Sequence, residues 1–176
     1  MNKKRIEIPF YLKRTNFYAG QILTAADFQA EQSYFRERMR LHNLNCHGSG
    51  IVSGLEVSPS EGPARSIIVS PGTALDRLGN EITLSGAVRC PFPEKCEMAY
   101  LVLYWAERGT DPVPVLIDEI DTGQTMDSRV EEYAILKYES EEDRAHRHAG
   151  VVLARLMKIR RRWKVDQEFH VQRAKV

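Results

Sequence analysis

The sequence is poor in cysteine, and its three cysteines are widely spaced. Cys46, Cys90 and Cys96 are an odd set and lack the spacings of a disulfide framework or a zinc knuckle. We therefore expect reduced thiols and a fold held together by an apolar core. With 176 residues, 43% of them apolar, the chain is long enough to bury about 70% of the surface that its unfolded form exposes.

Long hydrophobic runs and a dominant charge are missing too. No stretch approaches the roughly 20 apolar residues of a membrane-spanning helix, and the net charge is only +1. Residues 1–5 are basic, but residues 6–9 are too short and too polar for the apolar core of a secretory signal. We expect no membrane insertion, no general attraction to nucleic acid, and synthesis in the cytoplasm.

The common local motifs of enzymes are absent as well. The chain has no Gly-x-Ser-x-Gly, phosphate-binding loop or dinucleotide fingerprint. Gly48-Ser49-Gly50 precedes a predicted strand and does not open a helix, so it makes a poor phosphate cradle. We predict that the protein is not an enzyme and expect no cofactor. A hydrolase with a carboxylate pair near Asp118 or Glu131 is the enzymatic alternative.

The chain begins with a segment that alternates apolar and polar residues. Ile6, Ile8 and Phe10 recur at the period of a strand, and Phe17 and Tyr18 add an apolar patch. We predict an extended arm over residues 1–23. This segment either packs on its own domain, which is the simpler interpretation, or adds to the sheet edge of a neighbouring subunit, and these five side chains are the candidates for contacts with other subunits.

A helix is predicted to follow over residues 24–46. Thr24 and Asp27 have the spacing of a helix-capping pair, and the glycines at 48 and 50 end the helix. An apolar stripe at helical spacing is expected to anchor the helix on the rest of the domain. Its members are Phe28, Phe35, Met39 and Leu41.

From residue 50 the apolar pattern changes to the period of two that is typical of strands. Strands are predicted around 51–57, 67–69, 100–105, 131–137, 151–159 and 163–169, with a hairpin over 75–84. Residues 109–128, rich in Gly, Pro and acids, are predicted to form a long loop with one short strand. The expected fold class is α+β: a single domain over 24–176, in which the helix packs on a β-rich body (50–176) that is an antiparallel sandwich or barrel.

Three groups of titratable side chains could carry special chemistry. His42 and Cys46 lie one helical turn apart and His47 follows, so these three are the best metal candidate. The simpler interpretation is that Cys46 is a small buried apolar group and His42 a residue at the edge of the core, and we predict no metal site. Two further groups are expected to lie in solvated loops: His146 with His148, and Asp118 with Glu119 and Asp121.

Two surface functions are suggested by composition. The run Arg160-Arg161-Arg162 could contact phosphates or an acidic neighbouring subunit, and we favour the subunit. Tyr104, Trp105 and Trp163 could instead stack on a sugar. A carbohydrate- or ligand-binding β-domain is therefore the alternative to a structural role.

The chain resembles a family of proteins encoded with contractile phage tails and phage-tail-like contractile injection systems. The match covers most of residues 16–135 and fades in the last 40 residues. The residues that carry it are Asn16-Phe17-Tyr18-Ala19-Gly20-Gln21-Ile22-Leu23-Thr24, Asp27-Phe28, Glu31-Gln32-x-Tyr34-Phe35, Arg40-Leu41-His42-Asn43, His47-Gly48, Gly50-Ile51-Val52-x-Gly54-Leu55-x-Val57, Val69-x-Pro71-Gly72-x-Ala74-Leu75-Asp76, the stretch 104–114, and Ser128-Arg129-Val130-Glu131-Glu132.

The resemblance implies a non-enzymatic structural component, an adaptor at the baseplate or fibre-attachment region of a tail. Its expected partners are other tail or baseplate proteins and further copies of itself, with a trimer favoured. The expected location is a virion or tail-like particle. The sequence departs from the family pattern at Asn45-Cys46, where two apolar residues are expected, and it has no fibre or receptor-binding extension.

Overall fold

The computed structural model describes residues 12–60, 66–93, 96–117, 120–141, 149–160 and 162–175. These residues form one α-helix, one π-helical turn and ten strands in three antiparallel sheets, which confirms a mostly β fold with one helix. The strands of this part of the chain do not close into a barrel. Ile6, Ile8, Phe10 and Arg161 lie outside the described residues, as do the acids at 118 and 119 and the histidines at 146 and 148.

The elements follow one another with short connections. The helix α1 spans Ala25–His42, and a π-helical turn spans Asn43–His47. The strands are β1 Gly50–Gly54, β2 Val57–Pro59, β3 Ser66–Val69, β4 Gly72–Leu75, β5 Glu81–Leu84, β6 Val88–Pro91, β7 Met98–Ile117, β8 Ile120–Glu139, β9 Val151–Ile159 and β10 Arg162–Val165. The sheet orders are β1-β4-β5, β2-β3-β6 and β10-β9-β7-β8.

The helix begins where the sequence predicts. Asp27 N donates a hydrogen bond to the side chain of Thr24, and Thr24 N donates one to Asp27 Oδ2 at 2.8 Å. The two hydrogen bonds form a capping box. Thr24 Oγ1 also donates to Asp27 Oδ2 at 2.7 Å. This hydrogen bond, together with the one from Thr24 N, lowers the pKa of Asp27. The regular helix ends at His42, and the predicted last turn is π-helical, since Gly48 N donates to Asn43 O. No helix in the part of the chain that the structure covers is long and apolar enough to cross a membrane.

Three sheets share one core because the chain turns a sharp corner between two of them. β1 pairs with β4 and β2 pairs with β3, so the corner lies at Gly54-Leu55 on one side and Ser70-Pro71 on the other. Gly54 and Leu55 both have positive φ, 58° and 57°. The core draws side chains from all three sheets: Ile51, Leu55, Ile67, Val69, Ala74, Ile82, Cys90, Leu101, Leu103, Val151, Leu153 and Leu156.

The prediction of a long loop at 109–128 is wrong. β7 pairs with β8 almost along its whole length, from Tyr100↔Glu139 to Ile117↔Ile120, whereas β9 covers β7 only as far as Leu103. Beyond that point the two strands continue as a two-stranded ribbon, residues 104–117 and 120–135, whose base packs against the core through Trp105 and Ala134. Pro112 and Pro114 fit there because each strand of a ribbon has one unpaired edge, where a missing N–H costs little.

The predicted apolar anchor of the helix also needs correction. No residue of α1 is buried, and Phe28, Phe35 and Met39 are 54%, 61% and 59% exposed. The half-buried residues of α1 are instead Asp27, Glu31, Tyr34, Glu37, Arg40 and Leu41, with Leu44 among those of the π-helical turn. The less exposed face of the helix is therefore mostly polar, and it contains Leu41 but not Phe28, Phe35 or Met39. The division into an arm of residues 1–23 and a domain of residues 24–176 stays a prediction.

Candidate assembly surfaces

A polar junction joins the end of α1 to the turn between β4 and β5. Arg40 Nε donates to Asn80 Oδ1 at 2.7 Å, and Asn43 Nδ2 donates to Gly79 O at 2.9 Å. Arg40 also lies over the ring of Trp105, with 5.4 Å between its Cζ and the ring centroid. These contacts, and not the apolar stripe, fix the end of the helix on the sheets.

Asp76 organises the turn on the sheet side of this junction. It is 1% exposed, and its Oδ1 accepts from Leu78 N and Asn80 N at 2.8 Å each. Its Oδ2 accepts from Asn80 Nδ2 at 2.7 Å. The carboxylate thus holds the Asn80 side chain in the position where its Oδ1 accepts the hydrogen bond from Arg40.

Gly79 allows the helix to approach this turn closely. Its φ is 84°, and a Cβ at this position would overlap the backbone oxygen of Arg40. Arg40 and Asn43 belong to one segment of the family-like pattern and Asp76 to another, so the structure brings two distant parts of that pattern together. Their role is architectural.

The last described residues add a contact that sequence reasoning missed. Gln172 O accepts from Ile51 N at 2.9 Å, Ala174 N donates to Ile51 O at 3.1 Å, and Lys175 N donates to His47 O at 2.7 Å. The segment 172–175 therefore lies beside β1, and β10 is shorter than the predicted strand 163–169. No local pattern in this polar segment signals the pairing, because its partner is more than 100 residues away in sequence.

The histidines and cysteine of the metal candidate lie near one another but make other contacts. Cys46 Sγ is 3.6 Å from His42 Nδ1, while His47 Nδ1 lies 2.9 Å from Lys175 O. Among the residues that the structure covers, no three His, Cys, Asp or Glu side chains group as a metal site. Cys46 is exposed, which corrects the interpretation of it as a buried apolar group.

The three thiols differ enough in burial to be told apart chemically. Cys90 is buried and Cys46 exposed, and burial raises the pKa of the Cys90 thiol, so less of it is thiolate at neutral pH. We expect a thiol reagent to label Cys46 within the dead time and Cys90 only as fast as the protein opens. Mass spectrometry of peptides over a labelling time course measures both rates, and Cys46→Ser should remove the fast phase alone. Equal rates at Cys46 and Cys90 would contradict the placement of Cys90 in the core.

A large apolar surface lies on the segment that leads into α1 and on the outer stripe of the helix. Thr15 ties the segment to the helix, since its N donates to Glu31 Oε2 at 3.1 Å and its Oγ1 to Asp27 O at 2.8 Å. The exposed members of this surface, named here the α1 face, are Phe17, Tyr18, Ile22, Leu23, Phe28, Phe35 and Met39. Clustered exposed apolar side chains of this kind mark interaction sites.

The aromatic residues of the carbohydrate alternative are engaged within the chain. Trp105 lies under Arg40, Trp163 stacks on Phe92 with 6.0 Å between ring centroids, and Lys137 lies over Tyr104. All three rings are half-buried. They do not present one free aromatic face, which disfavours the carbohydrate alternative.

One surface depression of the described chain has few of the groups that a hydrolase needs. Its volume is about 850 Å³, and Tyr100, Arg155 and Phe169 are among its lining residues. Glu141 is the one carboxylate among the residues that line it. Arg155 Nε donates to Asp166 Oδ2 at 2.6 Å, and this hydrogen bond lowers the pKa of Asp166. General acid–base catalysis by two carboxylates therefore has no support in this cavity.

The comparisons with known proteins show a likeness at the level of the fold. No protein-family model matches the chain, and no curated protein matches its sequence. Among solved structures, a chain of the type VI secretion system TssK-TssF-TssG baseplate subcomplex is similar, with a TM-score of 0.58 and 14% sequence identity over 92% of this chain.

Two other solved structures are also similar. The crystal structure of TssK gives a TM-score of 0.54 with 13% identity over 89% of this chain, and a baseplate complex of the type VI secretion system gives 0.52 with 14% over 92%. The protein spans 62%, 41% and 42% of the three matched chains. These neighbours are baseplate proteins of a contractile injection system, and at such identities the likeness establishes a shared fold.

Proposed function

We propose that the protein is a structural component of a contractile injection system, an adaptor in the baseplate or fibre-attachment region. The fold shared with type VI baseplate chains supports the class of assembly. The observation that carries the proposal is the α1 face. Its exposed phenylalanine side chains do not stabilise a free monomer, whereas a partner that covers them removes apolar surface from water.

The partner of the α1 face is another baseplate protein with an apolar patch bordered by acids. Lys13, Arg14 and Arg38 are exposed beside the face, and complementary charge at the rim of an interface directs docking. Further copies of the chain are partners too, with a trimer favoured. The arm residues Ile6, Ile8 and Phe10 are proposed to contact a neighbouring subunit, and the particle is a virion or tail-like assembly.

The experiment that tests the proposal separates binding from folding. We expect Phe28→Ser with Phe35→Ser to abolish co-purification with the partner proteins, for which the products of the neighbouring genes are the candidates, while leaving the melting temperature unchanged, because both rings are more than half exposed. The measurement is pull-down from a co-expression strain, with thermal denaturation of each purified variant.

Leu78→Ser is the matched control, since Leu78 is 58% exposed but lies on the β4–β5 turn. It should bind as the wild type does. Capture of the partners by the double variant, or no capture by the wild-type protein, would overturn the proposal. A large fall in melting temperature would show instead that the α1 face is packed within the chain.

A further inference from the structure

We propose that a second copy of this chain docks head to tail, with the acidic ribbon of one copy seated on the basic β9–β10 end of the next. This inference deepens the homo-oligomer part of the proposed function and names the surfaces that would form it. The partner of the ribbon is another copy of the same chain.

The ribbon packs on the core at its base, through Trp105 and Ala134, and its outer part is exposed. A two-stranded ribbon is at best marginally stable in water, and residues 104–117 and 120–135 have no third strand along them. Val113 and Met126 pair across the two strands and are 46% and 66% exposed, and Val130 is 67% exposed. These side chains give the ribbon an apolar strip for a partner to cover.

The charges of the ribbon identify the kind of partner. Its described side chains include five carboxylates and two arginines. Arg108 pairs with Glu131 at 2.6 Å, and Glu107 pairs with Arg36 of α1 at 3.2 Å. The carboxylates left are Asp111, Asp127 and Glu132, each exposed. A partner should therefore present cations around an apolar contact.

The other end of the same sheet has these properties. Residues 155–164 contain no acid. Arg155 is paired with Asp166 and Lys158 with Glu97, which leaves Arg160, Arg162 and Lys164 as exposed cations. Ile159, 44% exposed, lies among them. Three cations around one apolar side chain thus complement a ribbon whose remaining charges are three carboxylates and Arg129. Glu132 lies on the same face of β8 as Met126 and Val130, and Asp127 lies on the opposite face.

The two surfaces cannot meet within one copy. β9 runs antiparallel to β7 with Met98 opposite Met157, so the β9–β10 turn lies at the start of β7. The ribbon tip lies at the end of β7, and a 20-residue strand spans about 60 Å at roughly 3.3 Å per residue. Contact between the surfaces therefore joins different copies. Such a head-to-tail contact closes into a ring where the rotation allows it.

The test reverses the charges on each surface of the full-length chain. Arg160→Glu with Arg162→Glu makes the basic end acidic, and Asp127→Lys with Glu132→Lys makes the ribbon basic. We expect either pair to weaken self-association about tenfold or more, as measured by sedimentation velocity over a concentration series. All four changes in one chain restore complementarity and should restore association. Raised salt should weaken the wild-type oligomer.

Arg77→Glu with Arg173→Glu is the matched control, because it makes the same change in net charge at two exposed sites away from both surfaces. It should associate as the wild type does. Any of three results would overturn the inference. These are a wild-type protein that is monomeric at every concentration, a charge reversal that leaves self-association unchanged, and a variant with all four changes that still associates weakly. Retained binding of baseplate proteins in those cases would leave the proposed function standing, so the two failures are distinguishable.

Discussion

Replacing Asp76 with alanine is expected to lower the free energy of unfolding by about 3–4 kcal/mol, because it leaves three donors, two of them in buried hydrogen bonds, without an acceptor. The donors are Leu78 N, Asn80 N and Asn80 Nδ2. Loss of this turn also releases Asn80, which holds Arg40 of the helix. The midpoint of urea denaturation, with an unchanged slope, measures the effect.

Two further variants sharpen this prediction. Asp76→Asn keeps one oxygen for the backbone donors but opposes its amide to that of Asn80, so we expect a smaller loss of about 1–2 kcal/mol. Asp127→Ala removes an exposed aspartate of the ribbon and should change stability by less than about 0.5 kcal/mol. Equal stability of Asp76→Ala and Asp127→Ala would refute the structural role of the turn.

A substitution at the corner between the sheets should be about as costly. Gly54 has φ of 58°, and an added Cβ would overlap the carbonyl oxygen of Pro71 on the facing strand. We expect Gly54→Ala to destabilise the protein by about 3–4 kcal/mol, since it combines a left-handed alanine with overpacking against backbone. Thermal and urea denaturation both report this loss.

Gly123 provides a control that isolates the steric part. Its φ is 69°, but nothing lies within 4 Å of the position of a Cβ. Gly123→Ala should therefore cost only the backbone term of about 1 kcal/mol. If the two alanine variants were equally stable, the close approach of the strands at the corner would not be the reason for glycine at position 54.

Local signals in the sequence predicted the parts of the fold that depend on neighbouring residues. The capping pair Thr24 and Asp27 placed the start of α1, and alternation predicted the core strands around 67–69, 100–105 and 151–159. These features depend on contacts within a few residues, so a short window of sequence contains the necessary information.

Features that depend on distant residues were predicted less well. The composition of 109–128 favoured a loop, but pairing of β7 with β8 overrode it, and propensity is a weak guide where a ladder partner is available. The spacing of Phe28, Phe35 and Met39 predicted a core stripe, yet the polar junction between Arg40 and Asn80 leaves these three side chains exposed. Helical spacing gives the position of a stripe on the helix and not what covers it.

The sequence by itself determined the α+β class, the start of the helix, most of the core strands and the absence of the common enzyme motifs. Only the tertiary structure decided that the apolar stripe faces outward, that the acidic segment is a ribbon, and that the acidic and basic surfaces lie at opposite ends of one sheet. The physical reason is that strand pairing and helix docking join residues far apart in the chain, such as Arg40 with Asn80 and Met98 with Met157. Such contacts depend on the free energy of the whole packed chain and not on any local pattern.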